Sequence, residues 1–146
     1  MPPAPTPNVL LIEDNRADVF LFQEALLQQG IAVRLTHFGN GEEALRHLRR
    51  EGPDASERPD LIVIDLHLPG MAGHEVLREI RRQPALGCVP IAIITGAPPE
   101  QVATVDLQGS DAFIHKSIHV GAYIEEIGRV VRRLCRVPLV PPSAAR

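Results

Sequence analysis

Leu61-Ile62-Val63-Ile64 is an unbroken aliphatic run that stops on a carboxylate, Asp65. A short apolar run without polar alternation reads as a strand buried on both faces, as the strands of a parallel sheet are. The same figure recurs along the chain: Val9-Leu10-Leu11-Ile12 runs into Glu13-Asp14, Ile91-Ala92-Ile93-Ile94 into Thr95, and Ala112-Phe113-Ile114-His115 into Lys116. Helix-like stretches separate these runs, and Ile31 to Phe38 alternates as an edge-side strand does. Five β-α units of this kind predict a doubly wound α/β fold with a five-stranded parallel sheet, whose right-handed crossovers put helices on both faces. Ligands of such sheets bind outside the carboxyl ends of the strands. Acids, a hydroxyl and an ammonium at four such ends therefore converge.

The connecting segments carry their own signals. Asn15 followed by Asp18, and Asn40 followed by Glu43, are N-cap patterns. Gly30 closes the first helix and Gly52-Pro53 the second, while Leu68-Pro69-Gly70 turns the chain into a helix carrying Val76, Leu77 and Ile80. Strand four is expected from Cys88 to Thr95. Pro98-Pro99 then starts a weak helix interrupted by Gly109. The last helix carries Val120, Tyr123, Ile124, Ile127, Val130, Val131 and Leu134, more apolar positions than one narrow face needs. With Val137, Leu139 and Val140 behind it, this surplus predicts a homodimer through strand five, the last helix and the tail. Residues 1–7 read as a disordered Pro-rich lead, 8–136 as the domain and 137–146 as a tail.

Composition removes several classes of function. The 146 residues contain no apolar stretch near the ~20 needed to span a bilayer, and the start lacks a signal peptide's regions, so a cytoplasmic protein is expected. A net charge of −3, no Trp and one Tyr argue against a nucleic-acid binder, and Arg129, Arg132, Arg133 and Arg136 read as a solvated helix face. Cys88 and Cys135 lack metal or redox spacing and read as reduced packing residues. Lys116 is the only lysine among fifteen basic residues. It is a compact point charge where a planar guanidinium would crowd a small site.

Glu13, Asp14 and Asp65 put three carboxylates at neighbouring strand ends, where without a counter-charge they raise each other's pKa. A hard divalent cation such as Mg²⁺ is the usual remedy. Thr95 and Lys116 add a hydroxyl and an ammonium suited to phosphoryl oxygens, and Asp65 is the natural acceptor, as an acyl phosphate.

Taken together, Ile12-Glu-Asp-Asn15, Asp65-Leu-His-Leu-Pro-Gly-Met-Ala-Gly73, Thr95-Gly96 and Phe113-Ile-His-Lys116 resemble the response-regulator receiver domain, over residues 8 to 136. The resemblance implies the flavodoxin-like strand order 2-1-3-4-5 and phosphorylation of Asp65 by a sensor histidine kinase or phosphotransfer protein. It also implies Mg²⁺ held by Glu13, Asp14, Asp65 and the backbone carbonyl of His67. Thr95 and Lys116 would hold the phosphoryl group, and Phe113 would be the aromatic that changes rotamer; as a lone aromatic it reads better as a core residue. His67 and Ala97, beside the acceptor and the switch threonine, are the positions expected to tune phosphoryl lifetime. Glu13 stands where Asp is more frequent and reaches further, so action through water is expected of it and direct ligation of Asp14. Lys116-Ser117 replaces the usual Lys-Pro. That feature, the long loop before Arg58-Pro59-Asp60 and the Asn15-Arg-Ala-Asp18 opening resemble the single-domain regulators paired with phytochrome kinases. With about ten residues after the last helix, no output domain is expected and signalling would run through protein contact. Two rivals remain. A small phosphohydrolase with an aspartyl nucleophile would usually carry a second acid where His67 stands. A phosphorylation-independent interaction module would not need the full set of acids, Thr95 and Lys116.

Overall fold

The computed structural model describes residues 6–49, 58–116 and 119–136. Its elements are β1 (Asn8–Ile12), α1 (Arg16–Gln28), β2 (Arg34–Phe38), α2 (Gly41–Leu48), β3 (Leu61–Asp65), α3 (Gly73–Arg81), β4 (Ile91–Thr95), α4 (Pro99–Val102), β5 (Ala112–His115) and α5 (Val120–Cys135). The five strands form one parallel sheet in the order β2-β1-β3-β4-β5. Every residue of β3 and β4 is buried, which is why those runs show no polar alternation.

Strand alternation sorts the core into two layers. Leu10, Ile12, Ile62, Ile64, Ile91 and Ile93 face α2 and α3, where Leu45, Val76, Leu77 and Ile80 meet them. Val9, Leu11, Leu61, Val63, Ile94 and Ile114 face α1 and α5, against Phe22, Leu26, Tyr123, Ile127, Val130 and Val131. Each fully buried aliphatic side chain contributes roughly 1.5–3 kcal/mol. Both predicted caps form: Asn15 Oδ1 accepts from the Ala17 and Asp18 amides, and Asn40 Oδ1 from the Glu43 amide at 2.9 Å.

Some boundaries move, for identifiable reasons. β2 starts at Arg34 because Ile31 belongs to the end of α1. There Gly30, at φ +67°, lets its own amide and that of Ile31 donate back to Leu27 and Leu26. β4 starts at Ile91 because Pro90 has no amide to donate and the Val89 amide donates to the Leu86 carbonyl, at the end of a 3-10 turn over Pro84–Leu86. That leaves Cys88 exposed, which corrects its reading as a packing residue. Cys135 is partly buried, and burial together with Asp60 raises its thiol to about 11. α4 is four residues long, since only Val102, Val105 and Leu107 in this stretch pack on the core.

The apolar positions of α5 are mostly used within the domain. Tyr123, Ile127, Val130 and Val131 are buried, Ile124 and Leu134 pack beside them, and Val120 stays exposed. The surplus read from the sequence therefore shrinks to one helix residue. The alternative reading of Phe113 as a core residue does not hold: on the edge strand its side chain is 37% exposed. The tail, the lead up to Pro5, Gly52-Pro53 and the Lys116-Ser117 step lie outside the described residues, and α2 ends at Leu48 with Arg49 as its C-cap, short of the expected Gly52-Pro53.

Candidate functional site

The carboxyl ends of β1, β3, β4 and β5 bring together the chemistry that the sequence places there. Glu13, Asp14 and Asp65 each offer a carboxylate oxygen, all within 4.8 Å of one another. Glu13 and Asp65 are buried while Asp14 is exposed. An all-oxygen set of this size and charge fits a hard divalent cation better than a soft metal.

Lys116 is the counter-charge. Its Nζ donates to Asp65 Oδ2 at 2.9 Å, Glu13 Oε2 at 2.9 Å and Asp18 Oδ2 at 2.8 Å. Register explains its reach: the Lys116 amide donates to the Thr95 carbonyl at 2.7 Å, holding the residue against the end of β4. Asp18 is the member that the sequence reading missed. As the third residue after an N-cap asparagine it looked like a first-turn helix acid, and only its place on the inner side of α1 reveals the contact with Lys116.

Backbone groups fix the acids. Glu13 Oε1 accepts from the Asn15 amide at 3.1 Å, and His37 Nε2 on the edge strand donates to the Glu13 carbonyl at 2.6 Å. Asp65 Oδ1 accepts from the His67 amide at 2.9 Å, while the His67 side chain is exposed at the mouth. α3 begins so close behind Asp65 that a Cβ on Gly73 would collide with the Asp65 carbonyl oxygen and lie 2.8 Å from Leu66 Cα. Glycine there lets the helix pack directly under the acid.

Thr95 is fully buried, and its Oγ1 accepts from the Ala97 amide at 3.0 Å. Ala97 is itself 7% exposed, so its methyl group offers little surface to the mouth. Phe113, on β5, is exposed.

Electrostatics follow from the crowding. Burial, with a hydrogen bond to Asp65, raises the Glu13 carboxyl to about 8, although Lys116 pulls it the other way. Burial alone would lower the Lys116 ammonium. Hydrogen bonds to Asp18, Asp65 and Glu13 more than reverse that, so it stays charged well beyond its ordinary range. One fixed cation thus faces several carboxylates, a site prepared for further positive charge.

A doubly wound domain with a buried acid, an acid pair and a lysine at its carboxyl edge has the makings of a phosphoryl-acceptor module. Comparison with known proteins agrees. Residues 9–127 match the response regulator receiver domain, and the chain belongs to that family. It is 34% identical over 117 residues to the response regulator Rcp1 of Synechocystis sp., covering 80% of this chain and 74% of that one. Among solved structures it resembles the phosphorylated cyanobacterial phytochrome response regulator RcpA, at 31% identity and TM-score 0.79, over 94% of this chain and 99% of that one. It also resembles the Mn²⁺-bound form of Rcp1, at 28% identity and TM-score 0.76, over 92% and 99% of the two chains. Among the described residues, no helix is long and apolar enough to cross a membrane.

Proposed function

We propose that residues 8–136 act as a receiver whose Asp65 carboxylate accepts a phosphoryl group from the phosphohistidine of a sensor kinase or phosphotransfer protein. A phosphorus–nitrogen bond of the donor breaks as a phosphorus–oxygen bond forms on Asp65. The observation that carries this reading is the Lys116 ammonium held 2.9 Å from Asp65, beside two further acids. Mg²⁺ suits the oxygen donors, with Glu13, Asp14, Asp65 and the His67 carbonyl as the residues to hold it; when bound, the cation neutralises charge on the phosphoryl oxygens. Asp14 is exposed and so available for direct ligation, whereas Glu13 is already held by Lys116 and Asn15, which favours a contact through water. Thr95 and Lys116 then bind the phosphoryl oxygens, and Phe113 reports the change at the sheet edge. His67 at the mouth orients or blocks the hydrolytic water, while the apolar Ala97 gives that water no partner.

The resemblance to RcpA and Rcp1 favours a phytochrome-type kinase as donor, and the absence of an acid at position 67 disfavours a phosphohydrolase. A homodimer through β5 and α5 keeps the support of two exposed side chains, Phe113 and Val120. Sedimentation of the full chain and of Phe113→Ser tests that part: a monomer at micromolar concentration in both contradicts it. The acceptor reading itself is tested by incubation with acetyl phosphate, with and without Mg²⁺, followed by intact mass. Mg²⁺-dependent gain of one phosphoryl group is expected. Catalytic turnover of a model phosphate ester, without accumulation of the phosphorylated chain, would favour the hydrolase.

A further inference from the structure

Tyr123 is 2% exposed, and its hydroxyl is buried without a hydrogen-bond partner among the described residues. Leaving a buried hydroxyl unpaired is costly, so its place calls for a reason. It stands in the first turn of α5, in the same core layer as α1. The two helices touch further along, where Gln29 at the end of α1 lies over Gly128 and donates to the Ile124 carbonyl at 2.6 Å. The hydroxyl also lies within the field of the acid site. Burial raises its pKa, and after the opposing effect of Lys116 the next contribution comes from Asp18, ahead of Glu13 and Asp65.

Of the three carboxylates on Lys116, Glu13 also accepts from the Asn15 amide and Asp65 from the His67 amide. Among the described residues, the Asp18 side chain accepts from Lys116 alone. Drawing the Lys116 ammonium toward a phosphoryl group would therefore leave Asp18 without a protein donor, on the same side of the sheet as a hydroxyl that lacks an acceptor.

We propose that Tyr123 is a positioning residue that couples the acid site to α5, its hydroxyl donating to the Asp18 carboxylate when Lys116 turns from Asp18 to a phosphoryl group on Asp65. This rests on the acceptor reading above. The new bond would tie the first turn of α5 to α1 in the phosphorylated state only.

The chain suits a direct test, because Tyr123 is its one tyrosine and it has no tryptophan. Intrinsic fluorescence therefore reports this side chain alone, and a carboxylate acceptor quenches tyrosine emission. The full chain is treated with Mg²⁺ and acetyl phosphate, and each sample is read for phosphorylated fraction by intact mass and for emission. Emission is expected to fall in proportion to the phosphorylated fraction. Hydrogen exchange at the amides of residues 120–124 should slow with phosphorylation in the wild-type chain and not in Tyr123→Phe, compared at equal phosphorylated fraction. Phosphorylation with unchanged emission, or equal slowing in Tyr123→Phe, overturns the coupling and leaves the acceptor reading standing. No gain of phosphoryl mass overturns both.

Discussion

Lys116 Nζ at the end of β5 lies 2.9 Å from Asp65 Oδ2 at the end of β3, so the ammonium reaches across the intervening β4. Its side chain is 18% exposed and that of Asp65 6%. The pair is shielded enough for its charges to matter, and it belongs to a cluster with more negative groups than positive ones.

Removing the cation should therefore be costly before any signalling is considered. Lys116→Met leaves Glu13, Asp18 and Asp65 facing one another, and stripping one partner from a largely buried ion pair costs about 3 kcal/mol. Urea unfolding at neutral pH should show that loss without metal, and millimolar Mg²⁺ should recover much of it. A variant as stable as the wild type without metal contradicts the picture of a charge-strained cluster.

The acid site also gives stability an unusual pH dependence. Glu13 titrates near 4.5 when unfolded and at about 8 in the folded chain, so between these values the folded state binds more protons. Its contribution to stability is thus fully present below the unfolded value and falls as pH rises toward the folded one. The difference between wild type and Glu13→Gln in metal-free unfolding should follow that course. Mg²⁺ binding at neutral pH should also release protons, seen as calorimetric heats that depend on the buffer. Heats independent of buffer ionisation contradict the raised pKa.

Phe20 and Leu27 are 61% and 73% exposed on α1, seven residues apart and so on one face. α1 packs beside the site through Asp18 on its opposite side, and an exposed apolar pair along a helix suits docking of a helical phosphodonor. Phe20→Ala and Leu27→Ala should slow transfer from a phosphorylated kinase at least several-fold and leave labelling by acetyl phosphate unchanged. Equal slowing with both donors would mean that the substitutions act on the site itself.

Arg81 holds the far edge of the sheet. It donates to the carbonyls of Leu86, Gly87, Val89 and Gly109 and pairs with Asp111 at 2.9 Å, which in turn accepts from the Ile91 amide. Arg81→Ala should lower stability by about 3 kcal/mol, and Arg81→Lys should recover little, because one ammonium cannot reproduce the planar fork. Chemical denaturation of both variants checks this; full recovery by lysine contradicts it.

Much of this was legible from the chain because the strands announce themselves. Runs such as Leu61–Ile64 are apolar throughout since both faces are covered, and the Asn15 and Asn40 caps have a local hydrogen-bond logic. Glu13, Asp14, Asp65, Thr95 and Lys116 were placed by their positions at strand ends. What depended on tertiary packing was not legible. Asp18 has a second job only because α1 lies beside β5's lysine, and His37 meets Glu13 only through strand pairing. Phe113 carries an apolar side chain in an apolar run, yet the edge position of β5 turns it outward. The surplus on α5 was overcounted because Ile124 and Leu134 pack at the margins of a core that the sequence does not draw.

Asp65 as the phosphoryl acceptor is checked by intact mass after acetyl phosphate treatment in Mg²⁺, with wild type and Asp65→Asn run side by side. The amide is near-isosteric and keeps the His67 contact, so both chains should fold. One added phosphoryl group is expected on the wild type and none on Asp65→Asn. A variant that gains the phosphoryl mass at the wild-type rate would contradict it.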